Sequence, residues 1–214
     1  SYLPAMFIHG DYTQSFLEKA YKDNYKDGSI PEYMQIVNDR PVDKYFFGVA
    51  VLIYPFFILA HILSLLFAQV PDGYSILYQY FTGFAAIFYV FLGCVFLSRL
   101  LKHYVSGTGV IFLINISMVF GTNLFHYTVI EPSMSHAYSF AMVAGFLFFT
   151  KEAITTQKAK YLFGAFITLA LITLIRPVNA LIILIIPFLS GTPQALINSF
   201  RFLLKEYKVV IIAS

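Results

Sequence analysis

The chain has 214 residues, 59% of them hydrophobic and 12% charged, roughly half the charged share of a soluble domain. That composition excludes an ordinary soluble domain and leaves an all-α polytopic membrane protein, a transmembrane helical bundle. The net charge of +3 is carried in membrane-proximal loops, which excludes nucleic acid as a partner and makes the lipid bilayer the first one. Cys94 is the lone cysteine, so no disulfide forms within the chain.

Residues 1–44 are polar and aromatic. From Asp11 to Asn24 the apolar positions Tyr12, Phe16, Leu17, Ala20 and Tyr21 fall near helical spacing, with Asp11 as N-cap and Glu18 and Lys22 as an i,i+4 pair. This predicts an amphipathic helix able to lie on a membrane surface. Asp27-Gly28-Ser29 before Pro31 marks a turn. Apolar runs follow at Tyr45–Val70, Tyr80–Leu101, Thr108–Tyr127, Ser135–Thr150, Tyr161–Ile175 and Val178–Leu189, and Gln194–Lys208 is amphipathic and basic. Pro55 predicts a kink or tilt in the first run, and His61 there reads as a core histidine bonded to a backbone carbonyl. Ser1 is not a start methionine and Val209–Ser214 resembles the first residues of another span, so the chain is expected to be an internal piece of a longer protein.

The loops around Arg99 and Lys102, Lys151–Lys160 and Arg201–Lys208 hold basic residues with only Glu152 and Glu206 against them, so they are assigned to the inner side. His103, in the same region, is expected to be inert. The acidic excess of residues 1–44 puts both flanks of Tyr45–Val70 on the outer side. That run is therefore expected to be tilted or half-inserted, with about five spans after it. The division expected is an outer-side segment, 1–44, and a transmembrane domain, 45–214.

Within Gly121–Phe140 the polar residues Asn123, His126, Glu131, Ser133, Ser135 and His136 interrupt this apolar background. Such groups at the end of a span are either a functional site or a wet interfacial loop. Glu131 and His136 should straddle a turn, because Pro132 disfavours helix at Glu131, with Ser133 and Ser135 capping the helix that follows. No Walker A, GxSxG, HExxH or CxxC pattern occurs.

The layout, together with RPVDKYFFGVAVLIYPFF and EPSMSHAYSF, resembles the first half of GT-C-type membrane glycosyltransferases, the second stretch being similar to bacterial, Bacteroidetes-like members. The resemblance implies a bacterial inner-membrane enzyme with residues 1–44 on the periplasmic side. It would move a sugar, with inversion, from a polyprenyl-phosphate-linked donor to an acceptor at the outer face. An acidic residue serves that family as base or metal ligand soon after its first span, a place that here would precede Ser1; Asp11 is the nearest candidate in the chain. Transfer needs a base for the acceptor and positive charge for the departing phosphate. Glu131, His136 and Asp11 are the catalytic candidates, and Glu131 with His136 could instead hold a divalent metal ion, Mg or Mn. Arg176, Lys44 and Arg40 are the candidates for the phosphate. Arg176 equally fits snorkelling to headgroups and Lys44 interfacial anchoring, and Asp39–Arg40 and Asp43–Lys44 also read as surface ion pairs. Two other classes remain open: a transporter or flippase of a lipid-linked or small polar substrate, and a non-catalytic subunit of a larger membrane complex.

Overall fold

The computed structural model describes residues 2–11, 34–38, 40–43 and 45–206. The helix expected from Asp11 to Asn24, the turn at Asp27-Gly28-Ser29 and Lys44 therefore lie wholly or almost wholly outside the described residues. The fold is all-α apart from one small hairpin. In chain order the elements are α1 (Tyr2–Phe7), β1 (Met34–Val37), β2 (Arg40–Asp43), α2 (Gly48–Leu66), α3 (Ile76–Leu101), α4 (Thr108–Phe120), α5 (Leu124–Val129), α6 (Ser135–Thr156) and α7 (Ala159–Ile175). A 3-10 helix, Pro177–Ile185, then leads into α8 (Ile186–Ser190) and α9 (Pro193–Lys205).

Three helices, Gly48–Leu66, Ile76–Leu101 and Ser135–Thr156, are long and apolar enough to cross a membrane. Leu66, Phe84, Phe91, Phe112 and Leu113 are each more than 60% exposed, which water would penalise and lipid does not. The chain is thus a membrane protein by the length and composition of its helices. Thr108–Phe120, Ala159–Ile175 and Pro177–Ser190 are apolar but shorter; thirteen residues of α4 rise only about 20 Å.

The chain divides into two compact units at Phe84/Ala85, within α3. In the first, α1 packs on α2 around Leu3, Phe57, Ala60 and Tyr78. Phe57, Ala60 and Ser64 recur at helical spacing, which explains why this face of α2 is the buried one. His61 Nδ1 and the Tyr78 hydroxyl share a hydrogen bond of 2.6 Å, so the partner of His61 is a side chain of α3 where a backbone carbonyl was expected. The turn before α3 is closed by Asp72, whose carboxylate accepts from the backbone N–H groups of Tyr74 and Ser75, both at 2.8 Å. Gly73 follows at φ 82°, and a Cβ there would meet the ring of Pro4 at 2.8 Å, so both backbone and space require glycine. The hairpin pairs Val37 with Arg40 and Met34 with Asp43, and Asn38 opens its turn at φ 51°.

In the second unit α6 and α7 form an antiparallel pair that holds most of the packing. Ala137, Ala141 and Gly145 repeat every fourth residue along the buried side of α6, the small-residue spacing that lets apolar helices approach closely. At Gly93 of α3 an added Cβ would lie 2.6 Å from the Phe140 ring and 3.0 Å from Ala141 Cα. Asn115 of α4 donates to Ser98 Oγ of α3 at 3.0 Å. At the far end of α6, Lys151 Nζ donates to the Leu189 carbonyl at 2.9 Å, completing the C-terminus of α8. There His103 Nε2 lies 2.7 Å from Glu152 Oε1.

Candidate functional site

The polar stretch of the sequence is where the second unit's helices break. Helix α4 stops at Gly121, and Thr122 Oγ1 turns back to the Met118 carbonyl at 2.7 Å, so the run expected to reach Tyr127 is two helices, α4 and α5. Helix α5 is six residues long and ends where Ile130 N–H and Glu131 N–H both donate to the His126 carbonyl, at 2.8 and 3.2 Å. Glu131 then turns: its carbonyl accepts from Met134 N–H at 3.0 Å. Tyr138, itself buried, donates its hydroxyl to the Pro132 carbonyl at 2.8 Å and so ties the loop to α6.

This folding sets four side chains in order, His126, Tyr127, Glu131 and His136. Glu131 Oε1 is 3.7 Å from His126 Nε2 with both side chains about half exposed, an approach too long for a hydrogen bond. His136, on the first turn of α6, stacks on Tyr127 of α5 with ring centroids 3.9 Å apart and planes at 19°. Its charged neighbours are Arg176 and Glu131.

Arg176 comes from forty residues further along. Its backbone leaves helix geometry at φ −153°, its N–H still donates to Ile172 O at 2.9 Å, and Pro177 after it starts the 3-10 helix. Asn179 Nδ2 reaches Ser139 Oγ at 3.5 Å, which fixes this break against the first turns of α6. Glu131, His136 and Arg176 are therefore brought to the same end of α6, where both charges act on the imidazole.

The other candidates are elsewhere. Asp11 closes α1, its N–H donating to Ala5 O at 2.9 Å, and belongs to the first unit. Arg40 contributes its backbone to the hairpin of that unit, opposite Val37. Lys44 lies outside the described residues. Ser133 and Ser135 do not cap α6: the N-cap is Met134, in extended conformation with no side-chain capping bond, and Ser135 Oγ is buried without a protein partner. Tyr127 and Asn179 were not among the sequence candidates. An aromatic and an amide amid apolar helices carry no local signal; only their partners, nine and forty residues away, give them meaning.

Chemically, the arrangement offers a carboxylate, an imidazole held flat by a ring, and a guanidinium at the junction of two apolar segments. Among the described residues no group of three His, Cys, Asp or Glu side chains converges. No protein-family model matches the chain, and neither curated proteins nor solved structures show a significant similarity to it.

Proposed function

We propose that the chain forms part of an integral-membrane glycosyltransferase that moves a sugar from a polyprenyl-phosphate donor to an acceptor at the outer face of a bacterial inner membrane. The observation that carries this reading is that Arg176 and Glu131 are the charges that act on His136 where the helices of the second unit break. Glu131 takes the proton from the acceptor hydroxyl as its oxygen attacks the anomeric carbon. The bond from that carbon to the phosphate oxygen breaks, and the leaving phosphate keeps the electron pair against the planar fork of Arg176. Asp11 and Arg40 belong to the first unit and Lys44 lies outside the described residues, so the reading rests on Glu131, His136 and Arg176.

A divalent cation, Mg or Mn, belongs to the same reading. Such ions take one or two carboxylates together with substrate phosphates and water. Glu131 with the donor's phosphate fits that minimal set, and the ion would supply further positive charge to the leaving group. Glu131 cannot serve both needs at once; with a cation on it, His136 is the remaining proton acceptor.

The test is release of polyprenyl phosphate from polyprenyl-phosphate mannose, glucose and aminoarabinose by the full-length protein in proteoliposomes. Turnover of one donor that falls roughly a hundredfold in both Glu131→Gln and Arg176→Ala is the expected result. One observation favours a second reading, a transporter of a lipid-linked substrate: the apolar segment broken at Arg176-Pro177 has the form of a discontinuous helix. Movement of intact donor between leaflets without release of polyprenyl phosphate would establish that reading in place of the first.

A further inference from the structure

Helix α9 has two apolar faces, and among the described residues only one is covered. Ala195, Leu196, Ser199, Phe202 and Leu203 are half-buried, a stripe at helical spacing on the side that meets α6 and α8. Ile197, Phe200 and Leu204 lie on the opposite side and are 46%, 57% and 75% exposed. Arg201 and Lys205, both exposed, run along one flank of that outer ridge.

The level of this helix in the membrane follows from its attachments. Lys151, near the C-terminal end of the α6 span, holds the Leu189 carbonyl at 2.9 Å, and α9 begins four residues later. Thr192 fixes that start, its hydroxyl accepting from Ala195 N–H at 3.2 Å. The same end of the span carries Arg99, which sits 5.9 Å over Phe148 of α6, and, just past α6, Lys158 and Lys160. Acids there are few: Glu152 is paired with His103, and Glu206 follows α9. An apolar ridge at the end of a membrane span that also carries these basic residues, with Arg201 and Lys205 along its flank, matches an anionic lipid surface in both chemistry and position.

We propose that α9 is an interfacial helix that binds anionic lipid headgroups through Arg201 and Lys205 and sets Ile197, Phe200 and Leu204 into the acyl boundary.

These 214 residues hold no tryptophan, so Phe200→Trp adds one reporter, read as the difference from the parent protein; Leu204→Trp serves the same purpose should the first variant fold poorly. The full-length variant is placed in nanodiscs of phosphatidylcholine containing a minor fraction of brominated phosphatidylglycerol or, at equal amount, brominated phosphatidylcholine. The expected result is quenching by brominated chains, roughly two- to fivefold stronger for the phosphatidylglycerol, with the difference erased by Arg201→Gln/Lys205→Gln. Equal quenching by both lipids overturns the headgroup binding. Quenching by aqueous iodide alone overturns the membrane contact. Protection from both quenchers means that protein covers the ridge, which overturns the proposal in favour of a partner chain.

Discussion

The imidazole of His136 lies against the ring of Tyr127, 3.9 Å between centroids and nearly parallel. The contact joins α5 to the first turn of α6 across the loop that carries Glu131, so it sets how far the imidazole stands from the carboxylate. An aromatic pair of this kind contributes about 0.5–1.5 kcal/mol. In the glycosyltransferase reading with a cation on Glu131, where His136 is the proton acceptor, Tyr127→Phe should keep the stack and the turnover. Tyr127→Ala should lower kcat about tenfold through a misplaced His136, with donor KM changed much less; steady-state kinetics on the transfer assay separate the two.

Arg176 tests geometry against charge. Arg176→Lys keeps the positive charge but loses the planar fork that matches a phosphate. In the glycosyltransferase reading, Lys should recover little of the activity lost in Arg176→Ala. A cation that only snorkels to headgroups would be replaced by Lys without loss.

His61, Tyr78 and Ser64 give a paired stability test in the first unit. Ser64 Oγ is buried with no protein partner among the described residues, so Ser64→Ala should leave stability unchanged or raise it by about 1 kcal/mol. Tyr78→Phe instead removes the partner of His61 at 2.6 Å and should cost about 1 kcal/mol, the scale of hydrogen bonds between membrane helices. Thermal unfolding in detergent reads both.

Asp72 predicts a pH dependence outside the spans. Burial pushes its pKa upward, but the N–H groups of Tyr74 and Ser75, with the Ser75 hydroxyl, outweigh that and hold it below the ordinary value. A depressed carboxylate stabilises the fold fully above its unfolded pKa, about 3.9, and loses that contribution as pH falls through the lower folded value. Stability of the parent should therefore drop below about pH 4 more steeply than that of Asp72→Ala in denaturant titrations across pH 2–6.

Gly93 tests the close approach of α3 and α6. A methyl group there meets the Phe140 ring at 2.6 Å and the Ala141 backbone at 3.0 Å. The ring can turn aside and the backbone cannot, so Gly93→Ala should destabilise the second unit by about 1–3 kcal/mol, read as loss of unfolding midpoint in detergent.

The all-α membrane class was legible because an apolar run long enough for a bilayer is a local property: α2, α3 and α6 are each carried by a continuous stretch of sequence. The breaks at Pro71-Asp72-Gly73, Arg176-Pro177 and Gly191-Thr192-Pro193 were legible for the same reason, since proline and glycine act on their own backbone. The early end of α4 at Gly121 was less so: apolar residues continue to Tyr127, and the break shows only in the backbone, where α5 starts afresh after Asn123. The hairpin at 34–43 was hidden because four-residue strands leave too short an alternation to register against helical surroundings.

Of the site, the sequence could nominate Glu131, His136 and Arg176 as ionisable groups in apolar company, but not join them. Arg176 comes to act on His136 because α7 packs along α6, with Gly145 of α6 against Thr168 of α7, and Asn179 then fastens the broken end of α7 beside Ser139. The same holds for Tyr127 and for the exposed face of α9. Periodicity in one segment gives the faces a helix has; which face is covered, and by what, is decided only when another helix packs against it.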